Sequence, residues 1–396
     1  MLPSAIADLF PADARDALVT LRRDLHEHPE LSFAERRTCE RLQAALAPLD
    51  TRRLDRVAET GLVARIRGRD PAAPLVAVRG DIDALPIQEA TGLPFASRTP
   101  NVMHACGHDV HASWAVGAAY LLAMTPAQGD VLVVLQPAEE TGRGAAAVLE
   151  SGALDDVRAI FGGHVDRRFA VGQVVAEAGP LAAAADTFRI ELTGRGGHGA
   201  RPQEGADPIV AAAALVGALQ TIVSRRLDPA RAAVVTVGTI HAGSAPNVIP
   251  DSAVLEGTVR AVDADTRQTL HEEMRRLAGT LAGAYGVSAR VAIDLGPPPI
   301  VNPPEAAAWA RTATVAVLGQ QALTPLGTLN MGGEDFAYYM ERIPGCFLRI
   351  GAREAGGEPI PAHSARFYAA EESLFIGAAV LAETARVASK AVAAGA

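Results

Sequence analysis

The sequence has 396 residues, of which 49% are hydrophobic and 20% charged, and its formal net charge is −9. This length accommodates two domains, and the composition predicts a folded protein with a sizeable core rather than a disordered chain. An acidic balance without a basic cluster argues against nucleic acid or an anionic membrane as a partner and favours a small molecule.

The cysteine content and the N-terminal residues indicate the compartment. Three cysteines, Cys39, Cys106 and Cys346, are an odd number in a long chain, which suits a reducing environment better than a disulfide framework. The N-terminus shows no basic segment followed by an apolar one, and no apolar run reaches the roughly 18 residues of a membrane helix. We therefore expect a cytoplasmic protein, neither exported nor inserted in a membrane.

The first part of the chain predicts helices that give way to strands. Apolar residues recur at helical spacing over 14–25 and 34–46, and the intervening His26–Glu30 segment, with its proline, predicts an exposed turn with a structural role. Strands are predicted over 62–66 and 75–79, and the second runs into Asp81 and Asp83. Carboxylates at this end of a strand lie where open α/β sheets bind ligands, or alternatively they cap turn amides.

A dense cluster of metal-binding side chains follows in His104–His111, which contains a thiol, three imidazoles and a carboxylate. Cysteine, histidine and carboxylate are ligands for a borderline metal such as zinc, and Cys106-x-His108 can direct two of them at one point. The alternative is a buried thiol beside a hydrogen-bonded imidazole. For His104 and His111 we expect packing or capping roles.

Two further strands also lead into candidate ligands. The strand over 131–135 precedes Glu139 and Glu140, and the strand over 157–161 precedes His164. Near a metal, one of two adjacent carboxylates can coordinate while the other takes a proton from water; otherwise such residues favour a helix N-terminus. Repeated strand–ligand–helix units predict an α/β domain with a central, mostly parallel sheet flanked by helices.

The order of the predicted strands and helices changes after residue 183. Strands and helices alternate as β-α-β-β-α-β from Thr187 to Leu295, which is the ferredoxin-like order, and a triple proline at 297–299 follows. The sequence thus predicts a discontinuous first domain, residues 1–183 and 297–396, with an inserted α+β domain over 184–296.

Eight motifs together resemble the aminoacylase and carboxypeptidase family of binuclear metallopeptidases, and more closely its amidohydrolase branch, which includes hippurate hydrolases and auxin-conjugate hydrolases. The motifs are Leu25–Leu31, Arg79–Pro86, His104–Asp109, Pro137–Glu140, Gly163-His164, Gly196–Pro202, Gly332–Phe336 and His363-Ser364.

The resemblance implies roles for individual residues. Two divalent metal ions (zinc, manganese, cobalt or nickel) would be held by Cys106, His108, Glu140, His164 and His363. Glu139 would be the general base that activates water, and Asp83 would orient a metal-binding imidazole.

The resemblance also implies roles for the inserted domain. It would serve as a lid and dimerisation domain, in which His198 donates to the oxyanion, often across a homodimer. Asn247 and Arg260 match substrate contacts, although Arg260 could equally be a surface residue of a strand. Two segments beside the inferred site, 165–169 and 364–368, differ in amino-acid sequence from what is usual in the family. The residues at the ligand and base positions are unchanged.

The predicted function is metal-dependent hydrolysis of the amide bond of an N-acyl amino acid or similar small amide. A dipeptidase or exopeptidase of the same family is the alternative within this class. A non-catalytic binding protein on this scaffold is the alternative from another class, but such a protein has no need of Glu139.

Overall fold

The computed structural model describes residues 4–49 and 51–395. The chain divides into two compact units: a larger unit of Met1–Gly179, Asn302–Thr328 and Asp335–Ala396, and a smaller unit of Pro180–Val301 and Leu329–Glu334. The boundaries predicted at 183/184 and 296/297 lie four and five residues from these. Leu329–Glu334 joins the smaller unit, although the sequence placed it in the first domain.

The described residues form fifteen strands and ten α-helices. The strands are β1 (Thr51–Val57), β2 (Gly61–Ile66), β3 (Leu75–Asp81), β4 (Val131–Gln136), β5 (Val157–Ala170), β6 (Val174–Val175), β7 (Gly179–Ala182), β8 (Ala184–Thr193), β9 (Gly197–His198), β10 (Ala233–Ala242), β11 (Val248–Ile249), β12 (Ser252–Ala261), β13 (Ser288–Asp294), β14 (Ile300–Asn302) and β15 (Gly345–Arg353). The helices are α1 (Ser4–Ala7), α2 (Ala12–Glu27), α3 (Arg36–Leu46), α4 (His108–Met124), α5 (Gly144–Glu150), α6 (Pro208–Thr221), α7 (Ala264–Ala284), α8 (Pro304–Leu318), α9 (Phe336–Met340) and α10 (Glu372–Ala394).

The larger unit is built on a seven-stranded sheet with the order β1-β2-β4-β3-β5-β15-β6. Its four central strands, β4, β3, β5 and β15, are parallel to one another, and the outer strands pair antiparallel with their neighbours. β4 is buried along its whole length, as expected where helices cover both faces of a parallel sheet. The predicted α/β class is therefore confirmed.

Two long apolar helices, α4 and α10, pack closely against each other in the core of the larger unit. Glycines permit their close approach: a Cβ on Gly377 would lie 2.2 Å from the Trp114 ring, and one on Gly117 would lie 2.8 Å from Ala378 Cβ. This packing holds the middle of α4, the helix that begins at His108, in the core.

The smaller unit has the predicted β-α-β-β-α-β order. Strands β10-β12-β8-β13 form a four-stranded sheet whose pairings are all antiparallel. Buried and more exposed residues alternate along β8, which is typical of a sheet with one face on the core. Leu215 of α6 and Met274 of α7 belong to that core. β9 and β11 form a separate two-stranded sheet, and β7 pairs with β14.

Two predictions about the larger unit were wrong. β5 was expected to end at Phe161 but continues to Ala170, so His164 lies within a strand rather than after one. The segment containing His26 was expected to be an exposed turn, but the His26 side chain is buried. In both places contacts distant in sequence override the local glycine and proline signals.

One helical segment of the described residues, Pro208–Arg226, is long and apolar enough to cross a membrane by length and composition. It comprises α6 and the π-helical turn Ile222–Arg226. A single segment of this kind is weak support for membrane insertion, because helices of soluble proteins meet the same criteria.

Candidate metal centre

Three donor side chains of the larger unit converge at the C-terminal edge of its parallel strands. Cys106 precedes α4, His108 opens that helix, and His164 projects from β5. Cys106 Sγ lies 3.1 Å from His164 Nε2, and the three donor atoms all lie within 4.8 Å of one another. We call these residues the first donor group.

Glycine makes this arrangement possible at the start of α4. Gly107 has a left-handed backbone with φ of 87°, a conformation that other residues adopt only at a cost. A Cβ on Gly107 would also lie 2.4 Å from Val165 Cγ2. The turn can therefore pass close to β5 and present Cys106 and His108 to the same point.

Hydrogen bonds orient both imidazoles of the first donor group. His108 Nδ1 donates to the Asp83 carbonyl oxygen at 2.9 Å, and His164 Nδ1 donates to the Val165 carbonyl oxygen at 2.6 Å. When either ring is neutral, Nε2 is therefore its acceptor atom, the state in which histidine binds metal. His108 Nε2 is buried and has no hydrogen-bond partner among the described residues. Buried polar atoms normally have a partner, and a metal ion would provide one here.

A second donor group shares the thiol with the first. It consists of Cys106, Glu140 and His363, in which His363 Nε2 lies 3.5 Å from Glu140 Oε2. The other carboxylate oxygen, Glu140 Oε1, lies 3.8 Å from His108 Nε2 and is likewise buried without a hydrogen-bond partner in the described part of the chain. Two three-donor groups of thiol, imidazole and carboxylate could together hold two metal ions.

Asp83 holds the loop that carries the two glutamates. Its carboxylate accepts hydrogen bonds from the backbone N–H groups of Glu139 and Glu140, each at 3.1 Å, and from the Ser32 hydroxyl at 2.7 Å. The preceding residue, Ala138, has a positive φ of 54°, an uncommon conformation for alanine that functional loops can retain. The carboxylates thus extend from a loop with a tightly specified backbone.

The protein environment shifts the pKa values of the donor residues. Burial, followed by the Glu140 carboxylate, raises the pKa of the Cys106 thiol well above its ordinary value. Burial lowers the pKa of His164 well below the usual range, and His111 and Arg349 add to that effect. Coordination to a metal ion would reverse the effect at Cys106, because a coordinated thiol is deprotonated.

Carboxylates have the opposite effect on two other histidines. Burial opposes protonation of His108, but the Asp81 charge and the hydrogen bond to Asp83 outweigh it and raise the His108 pKa well above normal. The interaction of Glu140 with His363 raises the pKa of that partly exposed imidazole. A metal ion held by these residues would compete with protons, and its binding would weaken as the pH falls.

Sequence reasoning missed a buried polar chain behind the first donor group. His111 Nδ1 contacts Asp81 Oδ1 at 2.6 Å, and its Nε2 accepts from the backbone N–H of Val165 at 2.9 Å. Asp81 also forms a short ion pair with buried Arg79. The available signal was the three-residue spacing of His108 and His111, which places both imidazoles on one side of α4.

Two other buried histidines lie near the donor groups. His26 contacts Asp109 Oδ2 at 2.9 Å and Glu89 Oε1 at 3.2 Å, so its role is structural but internal. His104 is buried, and neither of its ring nitrogens has a hydrogen-bond partner among the residues that the structure describes. Burial lowers the pKa of His104 to about 4, so the ring is neutral at physiological pH.

The predicted residues of the smaller unit form one neighbouring pair and one separate position. His198 pairs with Val248 in the β9–β11 ladder, and the Asn247 carbonyl oxygen accepts from Gly199 at 2.9 Å, which places His198 near Asn247. Arg260 lies in the other sheet, in β12. The Ala200 N–H donates to His198 Nδ1 at 3.0 Å, and this bond places the imidazole proton on Nε2.

Known proteins resemble the chain over nearly its whole length. The profile of peptidase family M20/M25/M40 matches residues 77–387. The N-acetylcysteine deacetylase of Bacillus subtilis is 43% identical over 371 residues, which cover 93% of this chain and 96% of the relative. The IAA-amino acid hydrolase ILR1-like 2 of Arabidopsis thaliana is 38% identical over 373 residues, or 92% of this chain and 83% of the relative.

A solved structure agrees with the sequence relatives. The YXEP protein of Bacillus subtilis, described as a dinuclear metal-binding peptidase of the M20 family, superposes with a TM-score of 0.84 at 38% identity, covering 95% of this chain and 98% of the other. These matches confirm the resemblance inferred from the eight motifs. The chain therefore belongs to peptidase family M20/M25/M40 and is a hydrolase.

Proposed function

We propose that this protein is a metal-dependent amidohydrolase that cleaves the amide bond of an N-acyl amino acid or a similar small amide. The observation that carries the proposal is the pair of donor groups that share Cys106, with Glu139 beside them: Glu139 Oε2 lies 3.9 Å from His108 Nε2. The deacetylase and the amino acid hydrolase among its relatives act on substrates of this class.

The donor set suits two divalent metal ions. Cys106, His108 and His164 would hold one ion, and Cys106, Glu140 and His363 would hold the other. Thiolate, imidazole and carboxylate together accept zinc, manganese, cobalt or nickel. When bound, such ions lower the pKa of water and polarise a carbonyl group.

Glu139 acts as the general base. Its neighbour Glu140 is committed to the second donor group, so the two adjacent carboxylates divide coordination and proton transfer. Glu139 takes a proton from the attacking water and returns it to the leaving nitrogen, which leaves the carboxylate ready for another turnover. Asp83 fixes the backbone of both glutamates and thereby keeps their roles distinct.

His198 donates a hydrogen bond to the oxyanion of the transition state. Because Ala200 N–H donates to Nδ1, Nε2 carries the imidazole proton, and a preorganised N–H donor is what oxyanion stabilisation requires. Asn247 and Arg260 bind the carboxylate or carbonyl group of the substrate, for which a guanidinium provides a fork of donors.

The smaller unit mediates homodimer formation. β10 is an edge of the four-stranded sheet and exposes Val234 and Ile240, while α6 exposes Ile209 and Val210. Exposed apolar side chains beside an unpaired strand edge favour association with a second copy. A monomer in sedimentation at micromolar concentration, with full activity, would contradict this assignment.

The cytoplasm is the compartment that the cysteines favour. Cys39, Cys106 and Cys346 are all free and buried, and a thiol that binds metal must stay reduced. Mass spectrometry of alkylated protein from the native cells tests this point, since disulfide-linked cysteines would contradict it.

A substrate panel after metal reconstitution tests the proposed activity. Metal is removed from the enzyme with a chelator. The metal-free enzyme is then loaded with each candidate metal in turn and assayed with N-acyl amino acids and with free-amine dipeptides. We expect hydrolysis of the acylated compounds. Preference for the dipeptides would favour an exopeptidase, a possibility raised by the 35% identity to thermostable carboxypeptidase 1 of Saccharolobus solfataricus over 92% of this chain and 94% of the relative. No hydrolysis with metal bound would favour a binding protein.

A further inference from the structure

The metal-ligand candidate His363 lies in a segment without regular structure. From Glu354 to Ala370, between β15 and α10, the chain forms neither helix nor strand. His363 has a positive φ of 64° and an exposed side chain. Backbone freedom in such a segment opposes metal binding, because each residue must be ordered before a ligand can be held in place. Some other part of the molecule must therefore position His363.

One buried guanidinium contacts this segment at several points. Arg167 of β5 is only 2% exposed. It donates twice to the Glu358 carbonyl oxygen, at 2.7 and 3.1 Å, and once to the Tyr368 carbonyl oxygen at 3.1 Å. It also forms two bonds with the Glu354 carboxylate, at 2.8 and 3.1 Å. A single side chain thus holds the segment on both sides of His363.

An aromatic residue completes this cluster. The Arg167 guanidinium lies 4.2 Å from the centre of the Tyr368 ring, and the Tyr368 hydroxyl donates to Glu354. Burial opposes ionisation of Glu354, but the hydrogen bond from Arg167 outweighs it and lowers the Glu354 pKa to about 2. We call Arg167, Glu354 and Tyr368 the clamp.

The clamp connects the two segments whose amino-acid sequences differ from what is usual in the family, because Arg167 lies in 165–169 and Tyr368 in 364–368. It also connects the two donor groups: β5 carries both Arg167 and His164, whereas the clamped segment carries His363. The His363 N–H donates to the Ala105 carbonyl oxygen at 2.8 Å, immediately before Cys106, so a correctly placed segment brings His363 to the shared thiol.

We propose that Arg167 is a positioning residue for the second donor group, which determines how tightly that group holds its metal ion through the placement of His363. This inference rests on the two-metal site of the proposed function. The first donor group does not include any residue of the clamped segment. Loss of the clamp therefore weakens one of the two metal ions and leaves the other in place.

Metal release from the whole protein tests the proposal. Wild type and R167M are loaded with Zn²⁺, and the release of each ion to an excess of a coloured chelator is followed with time. We expect wild type to contain two ions per chain, and R167M to release one of them about 10–100-fold faster, the usual effect of losing a group that supports a ligand. The other ion is released at the wild-type rate.

Arg168 provides a matched control on the same strand. Its side chain is 40% exposed, and it bonds to Asp166 and to the Thr328 carbonyl oxygen rather than to the clamped segment. R168M should therefore release both ions as wild type does. Hydrogen exchange of residues 354–370 gives a second readout, with faster exchange in R167M and no change in R168M.

A double mutant separates positioning from a general loss of structure. H363A should lose the same ion, and R167M in the H363A background should add nothing, because both changes act through one ligand. If R167M does not fold, Y368F replaces it; this variant removes only the hydroxyl that bonds to Glu354 and should accelerate release to a smaller extent.

The possible results are distinct. A wild type that binds no Zn²⁺ overturns the proposed function, and the clamp proposal with it. A wild type that holds two ions and releases them no more slowly than the variants overturns the clamp alone. Additive effects of R167M and H363A also overturn it.

Discussion

His108 donates its Nδ1 hydrogen to the backbone carbonyl of Asp83 at 2.9 Å, while the Asp83 carboxylate receives the N–H groups of Glu139 and Glu140. One residue thus orients an imidazole of the first donor group and the loop that carries Glu139, the proposed general base. His108 Nδ1 also lies 3.2 Å from Asp83 Oδ1, so the positions of this imidazole and of both glutamates depend on one buried residue.

Replacement of Asp83 by alanine is expected to weaken metal binding. The substitution removes the carboxylate that accepts from Ser32, from His108 Nδ1 and from the backbone N–H groups of Glu139 and Glu140. It frees the 139–140 loop, so we expect metal affinity to fall about 10–100-fold. Competition with a chromophoric chelator measures the change. Asp156→Ala, at an exposed position after α5, is the control. Equal affinities for D83A and wild type would show that Asp83 does not support the site.

Replacement of Glu139 by glutamine is expected to remove catalysis without removing metal. A general base contributes about 10²–10⁴-fold to the rate, so kcat should fall by that factor, while metal analysis still finds two ions per chain. Glu150→Gln, on the exposed surface of α5, should retain full activity. Near-normal turnover by E139Q would eliminate Glu139 as the base.

Replacement of His198 by alanine should lower kcat by about 10²–10³-fold, the usual effect of losing an oxyanion donor. Metal content should not change, because His198 belongs to neither donor group. His241→Ala serves as the control, at an exposed position of β10. An H198A variant with a higher KM but an unaltered kcat would assign His198 to substrate binding instead.

Protons and metal ions compete for the donor groups, which makes metal affinity depend on pH. Asp81 and Asp83 raise the His108 pKa despite burial, and burial raises the Cys106 pKa, so both groups carry protons that metal must displace. Affinity should rise with pH by about tenfold per pH unit for each proton released. Calorimetric titrations between about pH 6 and about pH 8 in buffers of different ionisation enthalpy count those protons. A flat profile would contradict the proposed ligands.

His104 should make the metal-free protein, prepared with a chelator, less stable in acid. Its folded pKa of about 4 lies below the ordinary value of 6.5, so the unfolded chain binds the extra proton and stability falls as the pH decreases from 6.5 towards 4. A pKa difference of about 2.5 corresponds to about 3 kcal/mol.

His104→Leu should remove that loss. At neutral pH the variant should be as stable as wild type or more so, because a buried ring without hydrogen-bond partners in the described structure is replaced by an apolar side chain. Urea unfolding at several pH values provides the measurement. Parallel stability profiles for the two proteins would exclude His104 as the source of the acid sensitivity.

Sequence reasoning predicted the elements of this fold more accurately than their ends. The strand over 131–135 ends one residue later, at Gln136, because an unbroken run of valine and leucine is a strong signal. β5 passes through Gly162 and Gly163 instead of ending before them. A Cβ on Gly162 would lie 2.8 Å from the Phe336 ring, so this glycine serves close packing rather than a turn.

Some residues of the candidate site could be predicted from the sequence, and others could not. Cys106, His108 and the glutamate pair could be selected because they lie close in sequence or at strand ends. His363 depended on the family resemblance, since it lies in an irregular segment without periodicity. Arg167 could not be selected at all, because its role arises from contacts with residues nearly two hundred positions away, such as Glu354, 187 positions further along the chain.

The most direct test of the account is the rate of N-acyl amino acid hydrolysis as Zn²⁺ or Mn²⁺ is added stepwise to the chelated protein. The two donor groups predict negligible activity without metal and a plateau at two ions per chain. Full activity in the chelated protein, or a plateau at one ion, would contradict a two-metal centre built on Cys106.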